Sequence, residues 1–165
     1  LAWVNHGVTG NVKPKVLIGR YEIDNPALIN NTGWEVYLET NAGVDYLELR
    51  HHHGSLGDVP DKRDGCYSVG WTTGNWQLIG ITRHKIGATS WPQHYRNGLP
   101  VATTHEVTGM RDPDSCNQDL VIGSRFSKDQ DWYKGLASDI RIVGAELSAY
   151  QMRYIFESER HWYGV

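Results

Sequence analysis

Of 165 residues only two are cysteine, two methionine, two phenylalanine and six proline. Two cysteines allow one intrachain disulfide at most, so this is no disulfide-stapled miniature scaffold and it must bury a core of its own. At this length folding removes roughly two-thirds of the unfolded surface from water, enough for one domain. Neither sign of charge dominates: 16 Lys+Arg against 19 Asp+Glu leave a formal charge of -3 and a pI near 6.2. That balance excludes the broad basic field that draws nucleic acid or anionic lipid. No apolar run approaches the roughly 18–20 residues of a membrane-crossing helix, and no stretch has the layout of a signal peptide. Gly-x-Ser-x-Gly, Cys-x-x-Cys and a glycine-rich phosphate loop leading into a helix are all missing, so the familiar nucleophile and nucleotide signatures give no lead.

What the chain does have is 18 glycines, 7 tryptophans and 9 tyrosines, a turn-rich and aromatic-rich composition that suits strands. VKPKVLIGRYEI (12–23) is apolar on both faces, as an inner strand is. GWEVYLET (33–40) alternates, with Trp34, Val36 and Leu38 opposed to Glu35, Tyr37 and Glu39. DYLELRHH (45–52) follows across Asn41-Ala-Gly43, which predicts a hairpin. Residues 54–65, rich in Gly and Asp, read as a long polar loop. Then come NWQLIGITRH (75–84), a hairpin centred on Asn97-Gly98, DLVIGSR (119–125) and LASDIRIVG (136–144). Ser148 and Gln151 have the spacing of a capping box, and Met152, Ile155 and Phe156 recur at helical spacing, so one short helix is expected over 148–160. The expected fold is all-β: a single two-sheet antiparallel jelly-roll sandwich with that helix at its end.

From about residue 75 the order of parts resembles the laminin-G-like or concanavalin A-like jelly roll of secreted and surface proteins. WQLIGITRH (76–84), HYRNGLPVA (94–102), LVIGSR (120–125) and YKGLASDIRIVGAELSAYQMRYIF (133–156) match its successive strands, its Gly hairpin and its closing Leu-Ser helix. LAWVN and GWEVYLE (33–39) suit its earlier strands. The resemblance implies a recognition module more than an enzyme, although the fold hosts lectins, glycanases, adhesion modules and virion proteins alike. The family has a further stretch before the AWV strand. The chain opens inside an apolar strand, so more polypeptide upstream or a neighbouring subunit is expected to cover a sheet edge around residues 1–5.

Several residues invite chemistry. Glu22-Ile-Asp24 has two of the three acids of the glucanase strand but lacks the third, and Tyr46-Leu-Glu-Leu-Arg50 is similar to a strand of alginate lyases without its partner motifs. His51 and His53 would share a strand face, with Asp58 within reach, yet a polar strand end explains the triple His as well. Asp58, Asp61 and Asp64 before Cys66, and Asp112, Asp114 and Asp119 around Cys116, offer the hard oxygen ligands that calcium takes. Laminin-G-like modules often bind calcium at a rim, which the resemblance carries over to these acids. Cys66 and Cys116 each follow an Asp-containing loop, and in an oxidising compartment they are expected to pair, closing a loop of about 50 residues worth roughly 4 kcal/mol. Trp3, Trp34 and Trp76 fall in strand patterns and are expected in the core, whereas Trp91, Trp132 and Tyr133 fall in hairpin or loop contexts. With Arg96 and Asn97 as polar partners they form the candidate glycan-binding surface, because aromatic rings stack on sugar faces. The expected function is non-catalytic binding of a glycan or glycosylated surface, in an extracellular, cell-surface or virion setting. The alternatives are a virion or surface-layer decoration protein and, third, a polysaccharide hydrolase or lyase.

Overall fold

A computed structural model describes residues 1–7, 15–23, 31–41, 43–53, 62–87, 89–125 and 131–165. Twelve strands run in the order β1 (Ala2–His6), β2 (Lys15–Ile23), β3 (Asn31–Asn41), β4 (Val44–His53), β5 (Lys62–Val69), β6 (Trp76–Ile86), β7 (Thr89–Arg96), β8 (Leu99–Pro100), β9 (Thr104–His105), β10 (Met110–Arg111), β11 (Val121–Ile122) and β12 (Gly135–Ser138). One α-helix among the described residues, α1 (Ala149–Glu159), follows and ends in a 3₁₀ turn at Arg160–Trp162. One sheet has the order β10-β7-β6-β1-β12 with β8 on β7, the other β11-β2-β3-β4-β5-β9, and every strand pair is antiparallel. Two antiparallel sheets with one short terminal helix are the fold the strand patterns and the Ser148 cap predict, and the arrangement is compatible with a jelly roll.

The hairpin expected around Asn41-Ala-Gly43 forms β3 and β4, in the register Val36↔Leu49 and Leu38↔Leu47. Leu38, Leu47 and Ile18 therefore face Ala2, Val4 and Ile79 of the other sheet to make the main core. An irregularity between Val16 and Ile18 in β2 puts both Leu17 and Ile18 into that core, which is why this strand reads as apolar on both faces. Asn97 (φ 51°) and Gly98 (φ 76°) form the turn between β7 and β8, both in the left-handed region that a two-residue hairpin turn demands. Gly98 has a second reason to be glycine, since a Cβ there would meet Arg153 Cα of α1 at 2.7 Å.

Helix α1 begins as the sequence predicts. Ser148 Oγ accepts from the Gln151 amide at 3.3 Å, and Gln151 Oε1 accepts from the Ser148 amide at 2.8 Å. Its buried Met152 and Phe156 lie on the outside of the β6–β1 sheet, where Phe156 joins Trp3 and Leu78. Trp3 is fully buried there, stacked on Tyr163 at 4.1 Å and donating from Nε1 to Glu159 Oε2 at 2.8 Å. Trp3 and Trp76 thus belong to this second cluster beneath the helix, Trp34 packs on the inter-sheet core, and Trp71 is buried in it.

Three expectations are corrected. LASDIRIVG is a strand only at its start, because β12 ends at Ser138 and residues 139–147 cross the sandwich end without strand pairing among the described residues. Residues 62–65, read as loop, belong to β5, whose Asp64 and Gly65 pair with His51 and Arg50, while residues 54–61 lie outside the described residues. Finally, β1 is paired on both sides, by β6 and by β12, so the open edge expected around residues 1–5 is occupied by the chain's own strands.

Candidate functional site

Alternation along the second sheet sends Tyr21 of β2, Glu35 and Tyr37 of β3, and Glu48, Arg50 and His52 of β4 to the face away from the inter-sheet core. On an ordinary sandwich such a face is wet. Here Tyr21, Glu35, Tyr37, Glu48 and His52 are all buried. Burying a carboxylate costs several kcal/mol unless it is paired and hydrogen-bonded, so the partners decide what this face can do.

Glu35 is held by Arg125, whose Nε and Nη2 each donate at 3.2 Å to its two oxygens, and by His52 Nε2 at 3.3 Å. Burial by itself would raise the Glu35 pKa, but His52 and Arg125 outweigh it and hold the carboxyl below the usual carboxylate range. Arg125 also pairs with Asp131 Oδ2 at 3.1 Å and lies over the Tyr21 ring at 5.2 Å. One step along the sheet, Arg50 grips Glu48 through Nε and through Nη2 at 3.2 Å and sits over the Tyr37 ring at 4.4 Å. Glu48 goes the other way from Glu35. Burial raises its pKa and Arg50 only partly offsets that, while Glu106 adds a like charge. Gly65 makes room for this crowding: a Cβ there would collide with Glu106 Oε2 and lie 3.2 Å from Glu48 Oε1. The face is therefore a line of charges and rings in which Glu35 and Glu48 each have an arginine.

From this line Trp132 reaches outward. Asp131 is buried, has φ 56° and is tied to Arg125, and the next residue bridges to Val16 of β2. Its indole is nevertheless 57% exposed. The neighbouring Tyr133 turns the opposite way, packing on the inter-sheet core with its ring 5.7 Å from His6 and its buried hydroxyl without a partner among the described residues.

The other residues proposed for the ligand surface lie elsewhere. Trp91 sits on β7 of the first sheet, exposed, and edge-on to His105 at 5.7 Å. Arg96 donates from Nη1 to the Gly70 carbonyl and lies over Trp71. Asn97 is consumed by its turn, its Oδ1 accepting from the Leu78 amide at 3.0 Å and its amide donating to the Leu78 carbonyl at 2.8 Å. Trp132 stands beside β2, at the β11 side of its sheet, whereas Trp91 belongs to the strand next to β10 in the other sheet. The aromatic residues expected on one surface are thus distributed over both sheets, because their loops leave opposite flanks of the sandwich.

The acidic residues proposed for calcium are placed as follows. Asp64 is buried and accepts from Arg111 through its amide, Nε and Nη2, each at 2.9 Å, which hold it below the usual range against the opposing effect of burial. His53 Nε2 lies 3.1 Å from the same carboxylate. Asp112 pairs with Arg83 and Lys85, while Asp114 and Asp119 are exposed, and Asp58 and Asp61 lie outside the described residues. Among the described residues no three metal-ligating side chains come together to hold an ion. Glu22 accepts from the Asn117 amide and from Gln118 Nε2, and Asp24 lies outside the described residues. The three histidines are no wet strand end: His51 faces inward, His52 outward to Glu35, and all three are buried.

The expected disulfide is also corrected, since both cysteines are free and buried. Cys66 pairs across β4 with Leu49, while Cys116 Cβ lies 3.1 Å from where a Cβ on Gly33 would be, and Gly33 pairs with His52. Three residues along the strands and two strands across separate those positions, about 10 Å in each direction, far beyond the roughly 4.4–6.8 Å that a disulfide allows between Cα atoms.

The buried array of Glu35, Glu48, Arg50, His52 and Arg125 is what sequence reasoning missed. Alternation assigned Glu35 to solvent, and only the hairpin register, which sets Glu35 opposite Arg50, hinted at charge pairing on that face. No protein-family model matches the chain, and no curated protein matches it. Among the described residues no helix is long and apolar enough to cross a membrane.

Proposed function

We propose that this sandwich is a non-catalytic recognition module of the laminin-G-like or concanavalin A-like kind, binding a glycan on an extracellular, cell or virion surface, with Trp132 as its stacking platform. The observation that carries the reading is an indole 57% exposed on a held base: the Val16 amide donates to the Asp131 carbonyl at 3.0 Å, and Asp131 pairs with Arg125, which in turn holds Glu35. A large aromatic face carried on a held backbone needs less ordering on binding, which is what sugar stacking rewards. Its support against catalysis is that Glu35 and Glu48 both have arginine partners, leaving neither free as a nucleophile. The test is a glycan array run in calcium and in EDTA, followed by calorimetry on the best ligand. Trp132→Ala is expected to weaken binding by roughly 1–3 kcal/mol while shifting stability by less than about 0.5 kcal/mol. Retained affinity in a folded Trp132→Ala variant would overturn the assignment of this ring.

A second reading, polysaccharide cleavage, has one observation in its favour. Glu48 and Glu106 approach each other over Gly65, and a raised carboxyl beside a second acid is the pairing that glycoside hydrolysis uses. Release of reducing ends by the native protein, abolished by Glu106→Gln, would establish it in place of the binding reading.

A further inference from the structure

Protein interiors seldom leave voids larger than a water molecule. Between the two sheets lies a cavity of about 370 Å³, within the range of small-ligand sites. Leu17, Ile18, Val36 and Leu49 line it from one sheet and Ile79 and Ile81 from the other. It follows β6 beyond Ile79, the last residue of that strand to pair with β1. Its cover is the unpaired crossing segment, residues 140–147, fastened at two points. Arg141 exchanges backbone hydrogen bonds with Leu1, at 2.8 and 3.0 Å, and Glu146 meets His84 Nδ1 at 2.8 Å. Ile142 and Val143, which line the cavity, are also largely exposed, so only a thin cover separates it from water.

The lining is mostly apolar; its polar members are Thr82, Arg141, which pairs with Asp139 and Glu159, and the neighbouring His51 and Arg83. His51 spends Nδ1 on the Arg111 carbonyl at 2.7 Å, and burial pushes its pKa down to about 4, so it is neutral. Arg83 points inward from β6. Its Nη2 pairs with the half-exposed Asp112, but its Nε is buried and has no partner among the described residues. A buried, unmet donor on a cation is costly, and burial has already lowered the Arg83 pKa.

We propose that this cavity is a binding site for a single medium-length acyl chain ending in a carboxylate, the chain lying between the sheets and the carboxylate meeting Arg83. An apolar cavity takes up hydrocarbon, as smaller engineered ones do. The guanidinium is the feature that selects an anionic end over a neutral one, because it lacks an inward acceptor and a carboxylate supplies two. The site is separate from Trp132, which stands on the outer face of the other sheet, so neither proposal depends on the other.

The probes are dodecanoate and dodecanol, each below its micellar concentration, titrated by calorimetry and followed by melting temperature. One dodecanoate per chain is expected to bind, at least tenfold more tightly than dodecanol, and to raise the melting temperature. Arg83→Gln should weaken dodecanoate at least tenfold and leave dodecanol unchanged. Ile81→Trp, which puts an indole into the space the chain would occupy, should weaken both at least tenfold; if that variant does not fold, Val36→Phe obstructs the same space from the facing sheet. Failure of the native protein to bind dodecanoate overturns the proposal. So does binding undiminished by the obstructing side chain, or an Arg83→Gln variant that still prefers the carboxylate.

Discussion

Acidification from pH 7 to pH 5 is expected to remove on the order of 4 kcal/mol of folding stability, before the carboxylates have begun to protonate appreciably in the unfolded chain. Two buried histidines are responsible. His94 is fully buried, and burial, with His105 nearby, pushes its pKa down to about 3. Its partners leave no place for a second proton. Ser68 Oγ accepts from Trp71 Nε1 at 3.0 Å, which leaves its own proton for His94 Nδ1 at 2.7 Å. The imidazole proton therefore sits on Nε2, 3.4 Å from Cys66 Sγ, a thiol that burial pushes up to about 12 and keeps neutral. His51, lowered to about 4 by burial, faces Arg83, Arg111, His53 and Asp64. Unfolded histidine takes up its proton near pH 6.5, and the folded forms refuse it until far lower. The stability is fully present above about pH 6.5 and lost as pH falls toward 4 and 3, by about 1.4 kcal/mol per histidine per pH unit. His6 and His53 are shifted in the same direction and steepen the loss, whereas Glu48, whose carboxyl is raised, binds a proton more readily when folded and opposes it at the acid end. Urea titrations at pH 7, 6 and 5 measure the effect. His94→Gln should flatten the profile by about half, and equal stability at pH 7 and 5 would show that these imidazoles are not held neutral.

Glu35→Leu, which conserves volume while deleting the charge, is expected to destabilise the protein by about 3 kcal/mol. Leucine leaves the buried Arg125 guanidinium and His52 Nε2 without the carboxylate they share, and the cost is the desolvation of what remains. The loss falls at the lower end for buried pairs because Arg125 keeps Asp131. Chemical denaturation of Glu35→Leu, Arg125→Leu and the double variant forms a cycle. The double variant should be less damaged than the sum of the singles by at least about 1 kcal/mol, since removing both partners strands no charge. Additive losses would mean that the two residues act independently. On the proposed glycan-binding reading, affinity supplies a second readout, because Trp132 stands on the Asp131 that Arg125 pairs with, and a loosened base should weaken binding even where the domain remains folded.

Much of this architecture was legible in local chemistry. The alternation of Trp34, Val36 and Leu38, the turn at Asn41–Gly43, the Asn97-Gly98 hairpin and the Ser148–Gln151 box each act through neighbours a few residues away, so their meaning survives in one dimension. The strand β5 was harder to see because it carries Asp64 and Gly65 where apolar residues were looked for. Asp64 is tolerated because Arg111, 47 residues onward, satisfies it, and Gly65 is needed because Glu106 lies over it. Neither partner is visible from the strand itself.

The sequence by itself determined the all-β class, the main hairpins, the terminal helix and the absence of a dominant charge, because periodicity, turn residues and composition are local or additive properties. Only the tertiary structure decided which charges were buried and which rings stayed wet. Glu35 and Tyr37 alternate with core residues as any solvent-facing pair would, yet Glu35 is interior where Arg125, 90 residues later, is laid on it, and Tyr37 where Arg50 of the next strand covers its ring. Trp132 and Tyr133 are adjacent in the chain, yet one is exposed and the other packs on the core, because a left-handed backbone at Asp131 and the bridge to Val16 set the direction of each. Cys66 and Cys116 likewise depended on register, since strand pairing sets a cysteine's distance from its candidate partner and loop composition does not. Burial and distance are sums over the whole packed chain, and no window of sequence contains them.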